Sequence, residues 1–541
     1  MNILSGPGKT IMHKYKMTSI LKTTTNSNLF FLVLPLILST YTHLWNPLGL
    51  PGEPSYDENI YLRRTMNVLD NLGPQESELY DHPYFLQIFL GGILRLIGYP
   101  NSLDPIAGDV HSVEMLYLAP KLIMGILSII DTFLIYKIAE CYYNKGNENK
   151  CDNIRIAFIA SILFAVMPAT LMVRAVWLEP IQLPFLLSSI LFAIYIKNGA
   201  VKEGTDGKNN DHKRNVVILT LLSGVFLGLS VFTKIPAFTF IPLVGYLLFS
   251  NITINKTTFK IIISWLASSL LIPSIWPIFA LYSGHFSLWV KGIFFQTHRR
   301  VQSFLDSIRY DFFIDPVFMT TGFAGFIFTG TIKRDALILL WIVPFVVFLY
   351  VIGFVSYWHF IPIFPALCIA AAKMIVDLSN MGITNKKEYM KNIQRIIPLL
   401  VISGIAIFGV VTTTMLISEK ANMNSPYFEA AAFVVKYIQD DGKNKKATNN
   451  DKFTVISNPF YSWIPFYVFN LRYNSIDYYD SPVSVKTKKV ILISDPTLID
   501  RLNHNMVDKA IKKYLYGADK ILTFDDKNPY TNNKVVIYIH Q

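Results

Sequence analysis

Two short clusters hold residue types able to move a proton and to hold an anion. The first is Pro54-Ser55-Tyr56-Asp57-Glu58-Asn59 and the second is Tyr80-Asp81-His82-Pro83-Tyr84. An ionised carboxylate can take the proton of an attacking hydroxyl. Acids at a helix start are held ionised by the helix dipole, which makes Asp57 the candidate base. Glu58 is the second candidate catalytic residue, but it also stands three residues after Ser55. Ser-x-x-Glu is a capping box, in which the acid serves the helix start. His82 before Pro83 reads either as a hydrogen-bonded corner residue or as a substrate contact. Asp81 reads either as a tie for the loop or as its companion contact, and the spacing alone leaves both pairs of readings open.

These residues need elements to position them. Between the clusters Tyr61, Thr65, Val68, Leu69 and Leu72 recur at helical spacing, with Arg63, Arg64, Asn67, Asp70 and Asn71 in between. That pattern predicts an amphipathic helix suited to the headgroup region of a membrane. A second such stretch runs from Phe85 to Ile97.

The membrane itself follows from composition. Of 541 residues 52% are hydrophobic and only 16% charged, where a soluble protein carries roughly a quarter. An ordinary cytosolic enzyme and a disordered chain are both excluded. A spanning helix needs about 20 mostly apolar residues. Eleven runs meet or approach that length: 28–44, 114–140, 154–172, 178–196, 215–232, 236–250, 259–283, 316–332, 335–354, 357–377 and 396–418.

The net charge of +12 does not mark a nucleic-acid partner, because Lys and Arg sit between the apolar runs. Lys9, Lys14, Lys16 and Lys22 precede the first run, and every second exit is again basic, from Lys145 and Lys150 to Lys391 and Arg395. The positive-inside rule then predicts a cytoplasmic tail over 1–27, a membrane domain over 28–418, and outer segments at 45–113, 284–315 and 419–541. The first run reads as a retained anchor. The sequons at Asn251 and Asn255 fall on the cytoplasmic side.

Residues 419–541 change character. Strand-length runs at Phe453–Ser457, Lys489–Ser494, Lys520–Phe524 and Lys534–His540 alternate with helical patterns at Tyr427–Gln439 and Leu498–Tyr516. A small α/β domain outside the membrane is expected there. Overall the chain reads as an all-α polytopic membrane protein with that domain appended. Cys141, Cys151 and Cys368 form no metal or disulfide pattern. Gly6-Pro7-Gly8-Lys9-Thr10 lacks the earlier glycine of a phosphate loop, since Ile3 stands there.

At its two clusters the chain resembles the first loop of GT-C integral-membrane glycosyltransferases. It is most like the branch of the protein O-mannosyltransferases and aminoarabinose transferases. Three later fragments are similar to that family in the same order. They are Met167-Pro168 through Arg174-Ala175-Val176-Trp177-Leu178-Glu179, then Gly228-Leu229-Ser230-Val231-Phe232-Thr233-Lys234, then His359-Phe360-Ile361-Pro362-Ile363-Phe364-Pro365-Ala366. The likeness covers roughly 28–420. Two departures stand out. The family's mannosyltransferases usually carry two prolines after the His, and Tyr84 takes the place of the second. The Trp-Trp-Asp motif of oligosaccharyltransferases is missing, which speaks against transfer of a whole glycan to asparagine.

The resemblance implies an inverting transfer of one sugar from a polyprenyl- or dolichyl-phosphate to an acceptor hydroxyl, on protein Ser/Thr or on a glycolipid, at the outer face. No metal is required in that scheme. Asp57 would be the base. The phosphate would meet cations from Arg174, Lys234, His298, Arg299 and Arg300, since Arg offers a planar fork and Lys a point charge. The plain alternative for each is snorkelling to lipid headgroups. Glu179 is expected to pair with Arg174, and the aromatic stretch Phe286–Phe295 to line the mouth of a groove for the lipid tail. His359 either faces the same cavity or is merely hydrogen-bonded. A transporter or flippase would need ionisable residues at the bilayer centre and two similar halves. Asp131 is the main deep charge, and no repeat is visible. A sensor anchored by eleven spans would be over-built.

Overall fold

The computed structural model describes residues 26–49, 56–75, 80–144, 150–202, 210–250, 256–299, 303–380, 388–420, 425–443, 453–478, 483–485, 487–526 and 533–541. The basic tail, Ser55 with its capping box, the two sequons and Arg300 lie outside these residues.

Among the described residues sixteen α-helices carry the first part of the chain: α1 Asn26–Leu44, α2 Tyr56–Leu69, α3 Phe85–Leu96, α4 Val110–Tyr142, α5 Lys150–Val166, α6 Leu178–Lys202, α7 Asn210–Thr233, α8 Ile241–Phe249, α9 Lys256–Tyr282, α10 Phe286–Thr297, α11 Phe304–Ile314, α12 Pro316–Gly325, α13 Ala336–Ile352, α14 Phe364–Asn380, α15 Glu388–Lys420 and α16 Ser425–Lys443. Each of the eleven apolar runs has a counterpart. Among the described residues six helices are long and apolar enough to cross a bilayer alone: Val110–Tyr142, Leu178–Asn198, Asn215–Thr233, Phe259–Tyr282, Tyr357–Asn380 and Leu400–Ser418. Two runs are bent pairs, Cys151–Val166 with Pro168–Arg174 at 68° and Phe304–Ile314 with Pro316–Ile332 at 116°. The other three, Leu29–Leu44, Ile235–Phe249 and Ala336–Ile352, are shorter. This is a multi-pass membrane protein. Its bends have a local cause. Pro168 and Pro316 each open a new helical segment, where their missing N–H does no harm. Asp315 caps the second, accepting the Phe318 N–H at 2.8 Å.

The helices bury one face and bare another. Ile263, Leu266, Leu270, Leu271, Ile275 and Ile278 of α9 stay exposed, as apolar side chains against lipid tails must. The opposite side of α9 meets α7 at small residues. A Cβ added at Gly224 would lie 2.0 Å from Ser268 Oγ and 2.7 Å from Trp265 O. One at Gly228 would lie 2.9 Å from Ser268 O. This is close backbone packing of the small-xxx-small kind.

The C-terminal domain is a five-stranded sheet in the order β2-β1-β3-β5-β4. Its strands are β1 Phe453–Ser457, β2 Asn474–Asp477, β3 Lys489–Ser494, β4 Lys520–Asp525 and β5 Lys534–His540. The first three are parallel, and β5 runs antiparallel between β3 and β4. The strand β2 was not legible in the sequence, being four residues long with three of them polar. The helix expected over Leu498–Tyr516 is broken into Pro496–Asn503, Lys509–Lys512 and a turn at Lys513–Leu515. Asn505 adopts φ 54° between the first two and ends the helical run.

The sheet has no core of its own on its inner face. Leu62 and Met66 of α2, Leu86, Leu90 and Leu94 of α3 and Tyr117 of α4 share one buried cluster with Tyr427, Phe460, Trp463, Ile491 and Ile537. Here the structure corrects the sequence reading of α2. That helix does not offer its apolar face to lipid. Glu58 through Leu62 and Arg64 through Asn67 are all buried between the bundle and the sheet domain.

Gly224→Val drives a side chain into α9 and should cost roughly 1–3 kcal/mol. The midpoint of thermal unfolding in detergent should fall accordingly. Gly404→Ala, where nothing lies within 4 Å, should leave the midpoint unchanged or slightly higher.

Candidate active site

An α-helix turns by about 100° per residue, so neighbouring acids on α2 must face different surroundings. Glu58 turns into the bundle. Its Oε2 accepts the Tyr117 hydroxyl at 2.9 Å, and its Oε1 accepts the Val176 N–H at 2.8 Å and faces Lys121 Nζ at 3.2 Å. Both ends of that ion pair are fully buried. The geometry therefore gives Glu58 a structural place rather than a reactive one.

Asp57 points elsewhere and stays partly exposed. Among the described residues no hydrogen bond or ion pair commits its carboxylate. Arg299 and Lys234 lie within electrostatic reach and favour the charged form, while Asp81 and Glu179 oppose it. Burial outweighs them and raises its pKa above the usual carboxylate value. A raised carboxylate is a better proton acceptor once ionised.

The same face of α2 holds the Asp81–His82 loop. Arg64 Nη2 contacts Asp81 Oδ1 at 2.9 Å, and the Tyr61 ring stands edge-on to His82 with centroids 6.4 Å apart. Burial pushes the Asp81 carboxyl up, but Arg64 and His82 together bring it below its ordinary value. Burial pushes His82 down to about 4, with Lys234, Arg299 and Arg64 adding to the effect against Asp81. His82 is thus neutral near pH 7. Its Nε2 accepts from Gln296 Nε2 at 3.3 Å.

The helix that brings Gln296 and Arg299 is α10. It docks on the loop through Gly292, where a Cβ would sit 1.8 Å from the Tyr80 carbonyl oxygen. Tyr80 hydroxyl also meets His285 Nδ1, just before α10, at 2.9 Å. Arg299 lies over the rings of Phe295 at 4.8 Å and Phe354 at 4.7 Å. Sequence reading missed Arg64, Tyr61, Gln296 and Gly292. A glycine in the middle of an aromatic helix was the one available signal, since glycine there often marks close backbone approach.

The expected cations separate into groups. Lys234 follows α7 and pairs with Glu179, which opens α6. The expected Glu179–Arg174 pair is therefore replaced by a Glu179–Lys234 pair. Arg174 instead donates to the backbone carbonyls of Trp45, at 2.9 Å, and Asn46. A buried Arg beside free carbonyls finds acceptors without any acid. His298 is exposed, with its ring nitrogen on the Phe294 carbonyl and the Thr297 hydroxyl. His359 Nδ1 accepts the Ser356 N–H at 2.8 Å, yet its ring also lies within reach of Lys234, His82 and Arg299. His359 is thus hydrogen-bonded and stands near the same charges. Among the described residues no group of three or more His, Cys, Asp or Glu side chains could hold a metal ion.

The cluster therefore gathers Asp57, Asp81, His82, Lys234 and Arg299. It leaves Glu58, Arg174 and His298 with other partners. It can hold an anion beside an uncommitted carboxylate.

No protein-family model matches the chain, and no curated protein matches it by sequence. Solved structures do match by fold. The oligosaccharyltransferase of Archaeoglobus fulgidus in its apo form has a TM-score of 0.55 and 13% identity, covering 94% of this chain and 74% of that one. The oligosaccharyltransferase AglB from Archaeoglobus fulgidus, in complex with an inhibitory peptide and a dolichol-phosphate, has a TM-score of 0.52 and 13% identity over 86% of this chain and 69% of that one. ArnT from Cupriavidus metallidurans bound to undecaprenyl phosphate has a TM-score of 0.51 and 11% identity over 94% of this chain and 97% of that one. These are GT-C glycosyltransferases, and the chain has the GT-C fold.

The two neighbouring acids should separate by stability. Glu58→Gln strands Lys121 in a buried site and should cost about 3–5 kcal/mol. Asp57→Asn removes no contact of this kind and should leave the unfolding midpoint near that of the wild type. Thermal unfolding of both variants in one detergent checks the contrast.

Proposed function

We propose that the protein is an inverting membrane glycosyltransferase. It moves one sugar from a polyprenyl- or dolichyl-phosphate donor to an acceptor hydroxyl, on protein Ser/Thr or on a glycolipid. The observation that carries the reading is an uncommitted, partly exposed Asp57 carboxylate within reach of two cations, Lys234 and Arg299. The GT-C fold and neighbours solved with dolichol-phosphate or undecaprenyl phosphate support it. The basic exits of the sequence support a cytoplasmic N-terminus, with α2, the Asp81–His82 loop and the sheet domain on the outer face.

The reaction is a single displacement. The acceptor oxygen bonds to the anomeric carbon, the bond from that carbon to the phosphate oxygen breaks, and the Asp57 carboxylate takes the hydroxyl proton. One displacement inverts the configuration. The leaving phosphate is stable as an anion, so a strong general acid is not needed. Lys234 and Arg299 hold its charge. Neutral His82, fixed between Asp81, Tyr61 and Gln296, offers the sugar a hydrogen-bonding edge without adding charge.

Purified protein should transfer label from a polyprenyl-phosphate sugar to a Ser/Thr peptide or a glycolipid, and should do so in excess chelator. No transfer with any donor and acceptor would end the reading. Asp57→Asn should lower kcat by about 10²–10⁴-fold. Because Asp57 works ionised and burial raises its pKa, activity should be lost as pH falls through a limb above the ordinary value of 3.8. A kcat profile flat down to that value would remove Asp57 as the base.

Arg299→Ala and Lys234→Ala each remove a charged donor worth about 1.5–3 kcal/mol. Each should therefore lower kcat/KM for the donor by roughly ten- to a hundredfold. Steady-state kinetics with varied donor checks this, and an unchanged value would place the phosphate elsewhere.

A further inference from the structure

The third face of α2 is held by the sheet domain. Tyr56 hydroxyl donates to Asp477 Oδ2 at 2.8 Å, at the end of β2. Trp463 Nε1 donates to Asn59 Oδ1 at 3.3 Å. Tyr467 hydroxyl donates to Asn67 Oδ1. At about 100° per residue, positions 56, 59 and 67 fall within roughly a quarter of the helix circumference. Asp57, Tyr61 and Arg64 cluster on an adjoining face, turned to the Asp81–His82 loop. The domain side chains are themselves anchored: Trp463 is buried in the shared core, and Tyr56 joins two elements 421 residues apart in sequence.

We infer that the C-terminal domain is the positioning element for the candidate base. It fixes the roll of α2 about its own axis. Asp57 does not hold its own place, since among the described residues no bond commits it. Its direction is set by its neighbours on the helix, and those neighbours are bonded to Asp477, Trp463 and Tyr467. A roll of one residue would swing Asp57 out of the cluster and bring Glu58 or Tyr56 toward it. The domain's contribution is then to the chemical step, not to capture of the acceptor. This rests on the reading of Asp57 as the base.

The test uses the full-length protein in detergent. The double variant Trp463→Phe/Tyr467→Phe removes both donors but keeps an aromatic ring at each position. Tyr473→Phe is the control, because its hydroxyl bonds the Ser462 carbonyl within the domain and does not reach α2. A misplaced catalytic group costs up to about a hundredfold. The double variant should therefore lose about ten- to a hundredfold in kcat with the donor and acceptor pair that wild type uses, at unchanged KM for both. Hydrogen exchange over residues 56–69 should quicken, and the control should match wild type in both readouts. A raised acceptor KM at unchanged kcat would make the domain an acceptor clamp and overturn the inference. Unchanged exchange in α2 would overturn it as well. If wild type transfers no sugar but exchange in α2 still quickens, the helix clamp stands and only the reading of Asp57 falls.

Discussion

The structure depends on the roll of one short helix. α2 carries two acids in succession, and the pitch of an α-helix forbids them a common role. Two sets of contacts set the roll: Glu58 buried against Lys121, Tyr117 and the Val176 N–H, and Tyr56, Asn59 and Asn67 bonded to Asp477, Trp463 and Tyr467 of the sheet domain. A carboxylate taken out of water needs a cation and well-directed donors around it. Glu58 seats one face of the helix on the bundle, and the sheet domain holds another. Asp57 is consequently directed to the neighbouring face, where it meets charges but no bond.

That arrangement explains why the site stands where three bodies join. The bundle supplies Lys234 and Glu179 from breaks between helices. The first long loop supplies Asp57, Asp81 and His82. The segment after α9 supplies Gln296 and Arg299 on a helix pressed against the loop at Gly292. The cluster is assembled at their junction from members far apart in sequence.

Much of this was legible in the sequence, and the limits are physical. The eleven apolar runs appeared because membrane thickness imposes a length that few soluble elements share. Asp57, Asp81, His82, Lys234 and Arg299 were singled out by residue type, motif and place at span ends, and the structure brings these together. Arg174 stood out equally, but its Nη2 goes to two backbone carbonyls; an Arg near a span end looks the same whether carbonyls or a phosphate receive it. The Glu179 partner could not be read either: Arg174 and Lys234 both offered a cation, and only the meeting of α6 with the end of α7 decides between them. The burial of α2 was hidden for a related reason. Amphipathic spacing records that a helix has an apolar face, but not whether protein or lipid covers it. The long-range partners of Tyr56, Asn59 and Asn67 leave no local trace at all.

Charge balance gives the last constraint. Three carboxylates, Asp57, Asp81 and Glu179, face three cations, Arg64, Lys234 and Arg299. Two pairs are closed contacts, Arg64 with Asp81 and Lys234 with Glu179. The third is open: Arg299 rests on two aromatic rings rather than on Asp57. A closed pair of opposite charges is already partly satisfied, so Lys234 brings an incoming anion less new attraction than Arg299 does. An open pair offers an acceptor for a proton and a donor for an anion side by side. The site is thus near neutral as a whole yet polarised at one point, and the roll of α2 decides that Asp57 stands at that point.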